Sequence, residues 1–345
     1  MSRAHRRAQL WSIGQPMLTL LLTLFVGAFV VAPPALTPAS VSSAASTAAS
    51  ALAGGGAAEA SGRSLVLPEQ GTPGDLEPLQ GPGNPAGDSR VVRMHVGGRE
   101  RGYLLLPALG LHPGQLAALV VVLHQDVGSA QAVAQGLGLD GLRREGVTLA
   151  YPAGVLGSWN AGGCCGIAKD EDVDDVGFVD AVLNDVGHQV PIDIHRRALL
   201  GYSGGGMLAY RVLCRQHPGL VAAVEVNGSL ESHCPGNVVL PDMLAIHGAK
   251  DGTVGLVDPV HVTHLGMSPR PVESTLNIIT SQAGCGHRTT WSNALAQFIH
   301  WRNCRGGSTL DVQIVANAGH GWESVGGAAR AIPFLEQHLL LRKRA

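Results

Sequence analysis

The sequence has little charge and few aromatic rings. Charged side chains make up 14% and aromatic ones 4% of its 345 residues, and 24 Lys and Arg against 26 Asp and Glu leave a formal net charge of −2. A field that weak does not hold a phosphate backbone, so nucleic acid is not expected as a partner. The composition excludes a coiled coil, a polytopic membrane protein and a small disulfide scaffold. There is no HExxH among the 15 His and no GxxxxGK, so zincin and P-loop chemistry have no support and neither metal nor cofactor is expected. GLGLDG at 136–141 matches the GxGxxG string but follows a helical stretch rather than a strand, which removes the context a dinucleotide site requires.

What is present is unevenly distributed. Arg3, His5, Arg6 and Arg7 precede an apolar run from Met17 to Ala32, and no acidic residue occurs before Glu59. This is the order of an export signal. Residues 1–40 are therefore expected to be a cleaved signal peptide, with an uncleaved N-terminal membrane anchor as the alternative, and either places the rest outside the cytoplasm or on the cell surface. Residues 41–89, rich in Ala, Ser, Gly and Pro, cannot bury enough apolar surface to offset chain entropy and read as a disordered linker. Residues 90–345 are expected to form one catalytic domain.

Within that domain SRVVRMHV and GYLLLPA flank GGRER as an edge hairpin. Apolar, β-branched runs follow at 118–124, 147–153, 196–203, 221–229, 243–248 and 310–319. Helical patterns lie between most of them, at Ala130 to Leu142, Val176 to Val190, Gly205 to Gln216 and Val272 to Ala283, and Ala328 to Leu341 closes the domain. Unbroken apolar strands alternating with helices imply an α/β fold, a mostly parallel central sheet with helices on both faces. Function then belongs at the carboxyl ends of the strands.

One strand, RRALLGYS, runs into GGGMLAYRVLC, so Gly201-Tyr202-Ser203-Gly204-Gly205 forms GxSxG at a strand-to-helix junction. Small residues there allow a sharp turn that lifts the serine hydroxyl above the sheet. A serine nucleophile needs a base and the base an orienting acid. Asp251 lies three residues past one strand and His320 just past the last, so all three stand on loops at one sheet edge. The chain order Ser203, Asp251, His320 is that of an α/β-hydrolase fold. Gly204 is expected to give one oxyanion amide, and Gln125 or Asp126, after the early strand ending in LHQDVGSAQ, the second. Asp170, Asp172 and Asp174 in KDEDVDDVG alternate as calcium ligands would. Asp175 and Ala181, however, occupy the places where such a loop needs Gly and Glu, so a solvated loop with Asp175 near a helix N-terminus is expected.

On these residues the chain resembles the secreted esterase family of polyhydroxybutyrate depolymerases, feruloyl esterases and acetylxylan esterases. The stretches that carry the resemblance are VVLHxxxGSA, SWNAGGCCG, DDVGFVDAVL, GYSGGGMLAY, AIHGAKDGTV, AGCG and AGHGW, in order over nearly all of 91–322. It implies a serine hydrolase of small or oligomeric carboxylic esters, with Ser203 as nucleophile, Asp251 as acid and His320 as base. Gln125 departs from the family pattern, which leaves the second oxyanion donor open, and Glu323 with the short loop after Trp322 departs from it too, which leaves the substrate open. Trp159, Tyr202 and Trp322 are the expected substrate contacts, Trp159 with the alternative of a packing role below the site. An acyltransferase or peptidase on the same fold, or a silent surface-binding protein, are the rival readings. Among six cysteines in an exported domain, Cys214 with Cys234 and Cys285 with Cys304 are the expected pairs. Cys164 and Cys165 are then either a vicinal disulfide or two free thiols.

Overall fold

A computed structural model describes residues 89–217 and 219–340. The export segment expected at 1–40 lies outside the described residues, as does the linker at 41–89 but for its last residue. The chain enters as an antiparallel hairpin of β1 (Arg90–Val96) and β2 (Arg99–Leu106), which turns on Gly97 and Gly98, both at positive φ. There follow β3 (Ala117–Leu123), α1 (Ala130–Gly136), β4 (Val147–Pro152), α2 (Gly166–Asp170), α3 (Asp175–Gln189), β5 (Ile192–Tyr202) and α4 (Gly204–Leu213). Then come β6 (Leu220–Val226), β7 (Asp242–Gly248), α5 (Val272–Gln282), the antiparallel pair β8 (His287–Ser292) and β9 (Ala296–Arg302), β10 (Leu310–Val315) and α6 (Gly327–Leu339).

The strands form one sheet in the order β1-β2-β4-β3-β5-β6-β7-β10-β9-β8. From β4 to β10 all neighbours are parallel, and an antiparallel hairpin closes each edge. The reason lies in strands such as β3, AALVVVL, in which every residue is buried and both faces need cover. Phe178 and Val182 of α3, Leu208 of α4 and Ile279 of α5 supply it on one face, and Val133 of α1 with Phe334 and Leu335 of α6 on the other. Among the described residues no helix is long and apolar enough to cross a membrane.

The sheet departs from the sequence reading in three places. The helix expected over Ala130 to Leu142 stops at Gly136; Gly138 takes a left-handed φ and a short 3-10 turn, Asp140–Arg143, replaces the last turns. The hairpin of β8 and β9 had no apolar alternation to announce it, since all six residues of β8 are exposed. The loop expected around Asp175 is not solvated there: Asp174 caps α3 through the Gly177 amide, while Asp175 is fully buried and paired with Arg101 at 2.7 Å. The three alternating carboxylates have separate partners, Lys169 for Asp170, Asn160 for Asp172 and the α3 amide for Asp174. All six cysteines are bonded: Cys214 with Cys234, Cys285 with Cys304, and Cys164 with its neighbour Cys165.

Candidate active site

β5 runs through Ala198, Leu199 and Leu200 in the core and ends in a turn that only small neighbours permit. A Cβ on Gly201 would collide with the Gly205 carbonyl, and one on Gly205 with the carbonyls of Leu123 and His124. Between them Ser203 adopts φ 54° and ψ −119°, a conformation costly for any non-glycine residue, at the position just before α4, where its side chain makes no capping bond. The Ser203 amide donates to the Val226 carbonyl at 2.8 Å, which anchors the turn to β6.

Asp251 and His320 reach this turn from loops after β7 and β10. Ser203 Oγ lies 2.7 Å from His320 Nε2, and His320 Nδ1 lies 2.8 Å from Asp251 Oδ2. The other carboxylate oxygen accepts the amides of Thr253 at 2.8 Å and Val254 at 2.9 Å, so the acid is fixed by its own turn. Burial pushes the Asp251 carboxyl up, but the hydrogen bond and charge of His320, His247 beside it and the Thr253 amide outweigh this and hold it below the ordinary range. Buried His247 is a residue sequence reasoning missed. Its Nε2 lies 2.9 Å from the Val254 carbonyl, which can only accept, so that nitrogen carries the proton and also faces Asp251 Oδ2 at 3.3 Å.

A second missed group fixes His320 from behind. The His320 carbonyl accepts from Asn227 Nδ2 at 2.7 Å and from Tyr202 Oη at 3.1 Å. Asn227, wholly buried at the end of β6, also accepts the Gly248 amide at 3.0 Å through Oδ1. One side-chain amide therefore ties the His320 loop to the strand that leads to Asp251.

Of the two candidates for the second oxyanion amide, Asp126 stands directly against Gly204. Its nitrogen lies 2.9 Å from the point where a Cβ on Gly204 would stand, so the chain there tolerates only glycine beside it. Gln125 instead turns its carbonyl to His124 Nδ1 at 2.7 Å. That bond puts the proton on Nδ1, and Nε2 accepts the Gly154 amide at 2.9 Å. His124 thus pins the loop after β3 to the loop after β4, and burial pushes it down to about 4, so the ring is neutral.

Two expected substrate contacts do not reach the surface. Trp159 is 1% exposed, donates from Nε1 to the His124 carbonyl at 2.8 Å and lies tilted against that ring with centroids 4.6 Å apart, so it supports the loop after β3. Trp322 is 5% exposed and stands edge-on to Tyr202, whose hydroxyl accepts its amide at 3.2 Å. Both were drawn inward by the apolar area they bury. Half-buried Tyr202 braces the His320 loop through the same hydroxyl.

No protein-family model matches the chain. Feruloyl esterase C of Emericella nidulans is 25% identical over 245 residues, 65% of this chain and 87% of its own length. A protein described as probable feruloyl esterase C of Aspergillus clavatus is 30% identical over 168 residues, 47% of this chain and 57% of its own, so the chain spans little more than half of that relative. Among solved structures, the acetyl xylan esterase from Aspergillus awamori superposes with a TM-score of 0.52 at 12% identity, covering 71% of this chain and 98% of that one. The fold is that of the α/β-hydrolases, and the resemblance to esterases read from the sequence is borne out by similarity to proteins named feruloyl esterase C.

Proposed function

We propose that the chain is an exported serine hydrolase that cleaves carboxylic esters through an acyl-enzyme. The observation that carries the reading is the continuous hydrogen-bonded line Ser203, His320, Asp251 at the carboxyl ends of three parallel strands. Ser203 Oγ attacks the ester carbonyl as His320 Nε2 takes its proton, and Asp251 steadies the imidazolium. The carbonyl oxygen, now negative, is held by the amides of Gly204 and Asp126, aided by the N-terminus of α4. His320 returns the proton to the departing alcohol, then activates a water that releases the acid and restores Ser203.

Similarity to proteins named feruloyl esterase C makes feruloyl esters the substrates to try first. Three disulfides among the described residues and the basic, then apolar, N-terminal sequence support export. The test is turnover of p-nitrophenyl esters and methyl ferulate by wild type and Ser203→Ala, with fluorophosphonate labelling followed by peptide mapping. Turnover and labelling at residue 203 in wild type alone are expected. An unlabelled, inactive wild type sinks the reading in favour of a silent binding protein, and amide cleavage as fast as ester cleavage would turn it into a peptidase.

A further inference from the structure

Val127 and Leu156 are the two most exposed large apolar side chains among the described residues, at 83% and 74%. Both also sit at positive φ, 55° and 48°. A β-branched residue rarely takes that conformation, and nothing in the core rewards either side chain for doing so. Their positions are not scattered. Val127 directly follows Asp126, whose amide nitrogen stands against Gly204, and Leu156 belongs to the loop after β4. The two loops are joined twice, by the His124 ring between Gln125 and Gly154 and by the Gly128 amide donating to the Gly157 carbonyl at 3.3 Å. A Cβ on Gly157 would lie 3.6 Å from the Val127 carbonyl carbon, so the loops touch where the two side chains emerge.

We propose that Val127 and Leu156 form an apolar lip that holds the hydrophobic moiety of the ester beside its carbonyl, which makes esters with an extended apolar group the preferred substrates. The inference rests on the ester-hydrolase reading above and adds the substrate class to it. Continuity with the proposed oxyanion loop argues for this occupant: Val127 follows Asp126, whose nitrogen stands 2.9 Å from a Cβ placed on Gly204, and the loop bearing Leu156 is bonded to the same segment through Gly128 and Gly157. Both side chains stand in solvent, so burial under a ligand recovers hydrophobic free energy the fold leaves unused. The shared chemistry is an apolar chain or ring next to the carbonyl, whether from the acid or the alcohol.

Val127→Asn, Leu156→Asn and the double variant test the lip, because Asn accepts left-handed φ and keeps the fold while removing apolar surface. One arm lengthens the acid at fixed alcohol, from p-nitrophenyl acetate to butyrate and octanoate; the other lengthens the alcohol of alkyl acetates. In wild type kcat/KM should rise up to about fourfold per methylene covered in one arm, which identifies the moiety held. In the double variant the ratio of long to short substrate in that arm should fall by about tenfold, with each single variant in between and serving alone if the double does not fold. Ratios parallel to wild type in both arms overturn the lip, as does a variant that changes only sedimentation, since the patch would then be covered by a second copy. Wild type without turnover or Ser203 labelling fails the parent reading instead.

Discussion

Asn227 Nδ2 donates to the carbonyl oxygen of His320 at 2.7 Å, across a separation of 93 residues. Because Oδ1 of the same amide accepts the Gly248 amide at 3.0 Å, the base and the strand leading to the acid share one rigid connector. Asn227→Asp keeps an acceptor for Gly248 but sets an oxygen against the His320 carbonyl. Misplacement of a base by a fraction of an ångström is costly in rate and cheap in binding. We expect kcat to fall about 10- to 100-fold with KM changed little, measured by steady-state kinetics on a p-nitrophenyl ester. A loss confined to KM would mean that Asn227 acts on the substrate pocket.

His124 makes stability dependent on pH. Burial lowers its pKa from 6.5 to about 4, so the folded state keeps the ring neutral where the unfolded chain binds a proton. Its contribution is whole above about 6.5 and is lost as pH falls toward 4. Linkage sets an upper bound of about 3 kcal/mol. In urea titrations from pH 4 to 7, His124→Gln should be less stable than wild type at neutral pH yet lose less on acidification. Equal slopes for the two proteins would place the acid sensitivity elsewhere, for instance at buried His247, whose pKa is also lowered by burial.

Glu225 has the opposite sign. It lies fully enclosed behind the nucleophile helix, bonded by the Gly228 amide and facing Tyr210 Oη at 3.3 Å. Burial pushes it up to about 8 against hydrogen bonds that would lower it, so the folded state holds a proton that the unfolded chain releases. Stability is therefore lost as pH rises from about 4.5 to about 8. Glu225→Gln removes that titration and should raise stability on the order of 2 kcal/mol at pH 8, less at pH 5. Thermal midpoints at the two pH values decide, and a variant no better at pH 8 than at pH 5 sinks the argument.

These three residues show where sequence reading ends. Ser203, Asp251 and His320 are legible because each follows an apolar strand into a glycine-containing turn, a local pattern that topology converts into proximity. Asn227, His124 and Glu225 have no such pattern. Their roles depend on the parallel register β3-β5-β6-β7, which sets Val226 beside Ile246 and Gly201 beside Glu225 and Leu123. Burial was no more legible for the aromatic residues: Trp159, for which a packing role was the alternative, and Trp322 stand near the site in sequence, but both side chains are buried, while Tyr202 is half-buried. β8 was invisible because an exposed edge strand needs no apolar face.

The buried pair Arg101 and Asp175, 74 residues apart, gives the last expectation. Arg101 reaches Asp175 Oδ1 at 2.7 Å and stacks its guanidinium 3.9 Å over the Phe178 ring, while Asp175 Oδ2 accepts the Asn160 amide at 2.7 Å. Desolvation lowers the arginine pKa and raises that of the aspartate, so the enclosed charges hold each other against the cost of burial. Asp175→Ala strands a guanidinium and frees the Asn160 amide that anchors the segment bearing Trp159. A loss of about 3–5 kcal/mol follows, read as a thermal midpoint lower by roughly 10 °C. Removing both charges in Arg101→Met with Asp175→Leu should restore more than half of it, since the penalty comes from the unpaired charge and not from the missing pair. If the double variant is as unstable as Asp175→Ala, the loss lies in the Asn160 anchor, and the ion pair is not what holds the two elements together.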